Sequence, residues 1–278
     1  MRRSGFAYPY AVYAFTFFLA PLLLVFFYSV TTAGADGGIT LTLANYARFF
    51  DFSEPQYMKV LFHSFRIALV ATFICLIVGY PMAYILAHLP TRWRGLLSLL
   101  FILPMWMNFL LRTYSWMSLL ENNGIINTLL KSMGFAPLSI MYTESAVVLG
   151  MVYNFLPFMI LPIYNMLVRL DGSLIDASND LGASPVRTFM KVTLPLTFPG
   201  IMSGINMVFM PSVTTFVISR LLGGTSTVLI GDLIEKQFKL VNDKGFGSAM
   251  SVIIMVFVFG IMFITNRGKN NEEGSMML

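Results

Sequence analysis

The chain alternates between long apolar runs and short polar interludes, and the apolar runs set its main elements. A helix that crosses a bilayer needs about 20 mostly apolar residues. Six runs reach that length, at 8–30, 65–86, 96–116, 144–168, 197–221 and 246–265. The expected fold class is therefore all-α, a polytopic membrane protein with six transmembrane helices in a single domain over 1–278. Pro81 lies near the end of the second run. Pro104 falls in the third, Pro157 and Pro162 in the fourth, and Pro199 and Pro211 in the fifth. Proline removes a helix N–H, so the third to fifth spans are expected to be kinked and packed against protein.

The interludes predict shorter elements. Segment 31–60 carries Gly34, Gly37 and Gly38, then an aromatic-rich stretch, and reads as a loop ending in an interfacial helix near 45–50. Segment 121–137 reads as a turn at Asn122-Asn123-Gly124 and a short amphipathic helix with Ile125, Ile126, Leu129, Leu130 and Met133 on one side. Segment 222–245 opens on Gly223-Gly224 and continues as an amphipathic helix over 230–238. The tail from Arg267 is expected to fray. The first run follows Arg2-Arg3, is near full spanning length and lacks a small-residue cleavage site, so it reads as a retained span.

The longest polar interlude with apolar residues at helical spacing is Ser173 to Pro195. Ser173 and Asp176 read as a capping box. Leu174, Ile175, Ser178 and Leu181 fall on or near one face, with Asn179 and Asp180 turned away. Gly182 suits the left-handed residue that ends a helix. Ser184 and Pro185 then suit a second start. Val186, Phe189 and Met190 make that second piece amphipathic, with Arg187 and Lys191 on other faces. Leu194-Pro195 stops it or turns it into the next span. A helix pair this short is marginal alone in water and needs something to pack on.

Composition sharpens the class. Of 278 residues, 57% are hydrophobic and 11% charged, where soluble domains average about 25% charged, so the chain reads as an integral membrane protein. The net charge of +5 is scattered between apolar runs, which reads as loop anchors rather than a nucleic-acid surface. Cys75 is the single cysteine, so no intrachain disulfide is available. Raw Lys and Arg counts tie between the two sides of the membrane.

Candidate chemistry is sparse. No G-x-x-x-x-G-K-[ST] loop is present, so the chain is not expected to bind or hydrolyse ATP. Leu222-Gly223-Gly224 faintly echoes an ATPase signature in the wrong context and reads as a loop. His63 and His88 lie near span ends and read as interfacial residues. No carboxylate lies deep in a span, which counts against a proton relay. The polar and aromatic residues at membrane depth are the substrate-pathway candidates: Trp106, Asn108, Tyr114, Tyr153, Asn154, Asn206, Ser212, Thr214 and Thr215, with Glu235 at an outer end. Arg112 is costly in lipid and is expected at the outer interface or paired with Glu121 or another acid. Gly200 and Gly204 form a G-x-x-x-G that allows close helix approach, within this chain or to a second subunit.

The 173–195 stretch resembles the EAA loop of binding-protein-dependent ABC importer permeases, E-A-A, three residues, G, nine residues, I-x-L-P. Asp176-Ala177-Ser178 stands at E-A-A, Gly182 follows at the required spacing, and Val192-x-Leu194-Pro195 closes the pattern. Asp for Glu, Ser for Ala and Val for Ile are departures. Further stretches, among them LANYARFFD, ILPMWMNFLLRTYSWMSLL, VLGMVYNFLPFMILPIY and GG-x(5)-IG-x-x-I-x-x-QF over Gly223 to Phe238, are similar to permease subunits of spermidine/putrescine importers. The resemblance implies a MetI-like permease fold. It also implies a coupling loop over 171–196 that docks on an ATPase through Asp176, Ala177, Ser178, Gly182, Arg187, Leu194 and Pro195. Such a loop faces the cytoplasm, which breaks the charge tie and puts both termini inside a bacterial cell membrane. The implied partners are a homologous second permease, two ATPase subunits that hold ATP and Mg, an extracytoplasmic polyamine-binding protein, the polyamine and lipid. No nucleic acid and no cofactor of its own is expected. Other small cationic or amino-acid-like solutes remain open, as does a stand-alone channel or secondary transporter, which would transport without an ATPase.

Overall fold

The computed structural model describes the backbone at 7–33, 39–53 and 55–275, and the side chains there except at 7–9, 11, 33, 264 and 266–275. Arg2, Arg3, Gly34, Gly37 and Gly38, and the side chains of Arg267 and Lys269, lie outside the described residues. The chain divides into two compact units, one of Met1–Leu61 with Ile230–Ile261, the other of Phe62–Leu229 with Met262–Leu278.

In the first unit, α1 (Ala7–Ala14) continues through a π turn at Phe15–Leu19 into α2 (Ala20–Ser29). Ala20 donates five residues back to Phe15, a register that accommodates the missing N–H of Pro21. Only 6% of the Val12–Ser29 stretch is buried within this chain. The expected loop that follows contains a short antiparallel hairpin, β1 (Thr31–Ala33) with β2 (Ile39–Leu41), Thr31 opposite Leu41. Its β-branched Thr31, Thr32, Ile39 and Thr40 favour extended backbone, a local signal that the helical reading passed over. The expected helix near 45–50 is α3 (Ala44–Phe49). Asn45 Nδ2 donates to the Ser29 and Thr31 carbonyls, each at 3.2 Å, and so fixes α3 to the hairpin base.

The long helix α4 (Gln56–His88) begins earlier than the second apolar run and exceeds it by half. At 1.5 Å per residue its 33 residues outrun a hydrocarbon core of about 30 Å, so one end projects. The third run is not one span. α5 (Thr91–Trp106) and α6 (Phe109–Leu120) meet at a 93° bend. Pro104 sits in the last turn of α5, Met107 is extended, and Asn108 Oδ1 caps α6 by accepting from the Leu110 and Leu111 N–H groups at 2.9 and 3.4 Å. α7 (Ile125–Ser132) is the expected amphipathic helix, pinned by buried Asn127, which bonds the Glu121 and Leu138 carbonyls and the Leu138 N–H.

The core of the second unit forms around α8 (Glu144–Arg169), whose most apolar stretch is 56% buried. Thr143 caps it, Glu144 faces the positive end of its dipole and Arg169 the negative end. After the polar loop comes α9 (Gly172–Asp180), α10 (Pro185–Thr188), a π turn at Phe189–Thr193, and α11 (Leu194–Thr214). A second π turn, Ser219–Gly223, also packs on α8. A Cβ on Gly200 would meet Met166 Cγ at 2.7 Å and the Pro162 carbonyl at 2.9 Å, and one on Gly204 would meet Met159 Sδ at 2.7 Å. The G-x-x-x-G therefore seats α11 on α8 inside this chain. The first unit also holds α12 (Ile230–Lys236), a π turn at Gln237–Val241 and the part of α13 (Lys244–Ser275) up to Ile261; the rest of α13, in the second unit, carries helix through the stretch expected to fray.

Candidate functional site

The loop between α8 and α11 is a built element. Its first helix starts two residues earlier than the capping box predicts. Asp171, not Ser173, is the cap, its Oδ1 accepting from the Ser173 N–H at 3.0 Å. A carboxylate outcompetes a hydroxyl here because it also meets the positive end of the helix. The Ser173 backbone N–H in turn holds the Asp171 carboxyl below its ordinary range. Gly182, at φ +75°, ends the helix. Its N–H bonds the Asn179 carbonyl at 2.8 Å and the Ala183 N–H bonds the Ser178 carbonyl at 3.1 Å, the pairing of a Schellman motif. Ser184 Oγ accepts from Arg187 N–H and Pro185 opens the second piece, as expected. The two pieces are tied by a 2.9 Å bond between the Ser178 and Thr188 hydroxyls.

The loop's apolar residues divide. Ile175 and Ser178 turn inward, while Leu181 is 88% exposed, Val186 72% and Met190 55%. Asp176, Ala177 and Arg187 are exposed beside them. Leu181 was grouped with the inward face on periodicity. It lies at the helix terminus, where the chain is already turning through Gly182, so the 3.6-residue phase no longer applies.

Leu194-Pro195 neither stops the helix nor turns it. The chain runs as one helix from Pro185 to Thr214, and the π turn makes that possible. Leu194 donates to Phe189 five residues back, and Pro195, which has no N–H to give, follows without leaving a break. The π turn also aims Phe189 at α4. Its ring lies edge-to-face against Tyr80 and Tyr84, both at 5.7 Å between centroids. Tyr80 hydroxyl and Thr197 Oγ1, both buried, bond at 3.0 Å. Phe189, Tyr80, Tyr84 and Thr188 thus join the loop to two spans, and residue-type reasoning did not single out any of these links except as general packing.

The pathway candidates do not gather into one cavity. Trp106, 80% exposed, and Asn108 flank the α5–α6 bend, where Asn108 is a helix cap. Tyr114 is exposed on α6. Tyr153 packs edge-to-face on Trp116 at 5.0 Å. Asn154 is buried, its Nδ2 on the Gly150 carbonyl at 2.8 Å and its Oδ1 without a partner. Asn206 Oδ1 accepts from Thr265 Oγ1 at 3.2 Å. Ser212 and Thr214 bond back to carbonyls four residues earlier. Glu235 belongs to the first unit, its carboxylate 2.9 Å from Lys239 Nζ. A mostly apolar cavity of about 570 Å³ lies between α4 and α8, with the Arg66–Glu144 ion pair among its lining residues, and holds none of these candidates. Arg112, expected at the outer interface or beside an acid, is buried at 8% exposure and makes no ion pair among the described residues; its guanidinium lies 5.9 Å from the Phe109 ring centroid, and its Nε has no partner.

Residues 76–267 match the family described as binding-protein-dependent transport system inner membrane component. The chain belongs to that family. It is 43% identical over 228 residues to the spermidine/putrescine transport system permease protein PotB of Salmonella typhimurium, covering 81% of this chain and 78% of the relative. It is 42% identical over 228 residues to PotB of Escherichia coli K12, covering 81% and 82%. It is 39% identical over 257 residues to PotB of Haemophilus influenzae, covering 91% and 89%. The fold matches the crystal structure of a bacterial ABC transporter involved in the import of the acidic polysaccharide alginate, with TM-score 0.80, 11% identity, and 96% and 94% of the two chains covered. The all-α, MetI-like membrane permease fold is therefore established for this member of the family.

Proposed function

We propose that this chain is the translocating permease subunit of an ATP-driven importer of polyamines, spermidine or putrescine. The observation that carries the reading is its 39–43% identity, over most of its length, to permeases named for spermidine/putrescine transport. In this reading the 171–196 loop faces the cytoplasm, with both termini on that side, and Leu181, Val186 and Met190 dock on an ATPase subunit. Asp176, Ala177, Ser178, Gly182 and Arg187 shape and flank that contact, and Leu194-Pro195 continues it into the span. An exposed apolar cluster on a polar loop is unfavourable in water and supports a protein partner. The 6% burial of Val12–Ser29 supports contact with lipid or a homologous second permease.

ATP and Mg belong to the partner ATPases. Their closure pulls on the coupling loop, and Phe189 passes the motion to Tyr80 and Tyr84 of α4. The permease pair then alternates between accepting substrate from an extracytoplasmic binding protein and releasing it inside. A polycation is held here by aromatic faces and amide oxygens, for which Trp106, Tyr114, Tyr153 and Asn154 are the candidates. Glu144, Asp243 and Glu235 already face Arg66, Arg48 and Lys239, so the pathway conducts cations without trapping them.

Proteoliposomes holding the full complex test the reading. ATP-dependent uptake of labelled spermidine is expected, and replacing Asp176 and Gly182 with Arg should strip the ATPase on co-purification. Uptake that proceeds without any ATPase would overturn it in favour of a stand-alone transporter. Unchanged uptake with Trp106→Ala, Tyr153→Ala and Glu235→Ala would remove those pathway assignments.

A further inference from the structure

We infer that a polar cavity directly behind the coupling loop is a phosphate-binding site. The cavity, of about 190 Å³, is walled by the end of α4, the start of α5, the end of α8, Ile175 of α9 and Thr193 of the π turn. At about 30 Å³ per water, it holds several waters or one phosphate group with part of what it esterifies. Two cationic or potentially cationic side chains, Arg94 and His88, line it, and no lining residue is acidic.

Arg94 is set for an anion. A guanidinium has five N–H donors, and among the described residues the one side-chain bond Arg94 makes goes from Nη2 to the Leu89 carbonyl at 3.1 Å. Its Nε is buried and has no partner. Its outer nitrogens keep donors that make no bond among the described residues, and Arg94 lines the cavity, so a phosphate oxygen there can accept from them. His88 Nδ1 lies 2.8 Å from the Tyr84 carbonyl, which can only accept, so Nδ1 carries its hydrogen and Nε2 is an acceptor for a hydroxyl, that of a singly protonated phosphate or of a glycerol headgroup. The His88 ring is held in place by Tyr84, 4.2 Å between centroids, and Tyr84 also carries Phe189. A phosphate here bridges the ends of α4, α5 and α8 to α9 and the π turn, so its occupancy stiffens the link between loop and spans.

Phosphate reaches this depth from two sources, the headgroup of an anionic phospholipid whose leaflet borders the loop end of the spans, or free phosphate. Native mass spectrometry of the full-length chain, purified in detergent and titrated with phosphatidylglycerol or with inorganic phosphate, separates them. Arg94→Gln should lower one saturable adduct roughly tenfold, the loss of one charge-assisted hydrogen bond. Ala87→Leu, which fills the cavity and spares the arginine, should do the same. Arg92→Gln, at an exposed arginine, should leave the adduct unchanged. A phosphatidylglycerol adduct sensitive to both cavity variants assigns a lipid headgroup, and a phosphate adduct sensitive to both assigns free phosphate. Adducts of either probe that ignore Arg94→Gln and Ala87→Leu overturn the inference, whether or not the ATPase docks on the loop.

Discussion

Phe189→Ala tests the mechanical link between loop and spans. The residue contacts Tyr80 and Tyr84 edge-to-face at 5.7 Å each. Such a pair contributes about 0.5–1.5 kcal/mol beyond area burial, so losing both removes about 1–3 kcal/mol of coupling between the π turn and α4. The assay is a double-mutant cycle with Tyr80→Leu in the reconstituted complex. It reads thermal unfolding together with the number of ATP hydrolysed per substrate imported. Each single variant should raise that ratio, and the pair should fall short of the sum because the contact is already lost. Neighbours in contact usually depart from additivity by more than about 0.5 kcal/mol. A cycle that is additive within that margin, with an unchanged ratio, refutes the role given to Phe189.

Gly200→Ala and Gly204→Ala should each lower thermal stability in detergent by about 1–3 kcal/mol, since the added Cβ meets Met166 and Pro162, or Met159, at overpacking distance. Asn127→Ala should cost about 2–4 kcal/mol by removing three hydrogen bonds from a buried site, and should speed amide exchange at Leu138. Asp171 gives a pH dependence with a definite sign. Its folded pKa is lowered, so the cap is fully present above the ordinary carboxylate range and is lost as pH falls through the lower folded value. Hydrogen exchange at 172–176 should stay slow on mild acidification and quicken only at lower pH, and Asp171→Asn should abolish that step.

How much of this was legible in the sequence depends on the kind of signal. Apolar length found the long apolar helices but could not see the α5–α6 bend, because Met107 and Asn108 interrupt hydrophobicity by only one polar residue. That same Asn108 reads as a pathway residue until its side chain is seen capping α6. The polar loop between α8 and α11 was legible in its ends, Gly182, Ser184 and Pro185, because each of those residue types has one backbone task. Its start was misplaced because Asp171 and Ser173 are both good caps and only geometry ranks them. The continuation through Leu194-Pro195 needed the π turn, whose i to i−5 register leaves no residue signature. Arg112 was expected at the outer interface or beside an acid; residue type alone could not show its burial beside Phe109 with no ion pair among the described residues. G-x-x-x-G spacing said that helices approach but not which ones; Met159, Pro162 and Met166 identify α8.

The account rests on the loop near residue 181 facing the ATPase side of the membrane. Leu181→Cys places a thiol on an 88% exposed residue, while the native Cys75 is buried. Labelling it with a membrane-impermeant maleimide in inverted and right-side-out vesicles, with the ATPase bound and stripped, is the direct measurement. The account predicts labelling only in inverted vesicles and protection when the ATPase is bound. Labelling from the outer face, or equal labelling with and without the ATPase, would contradict it.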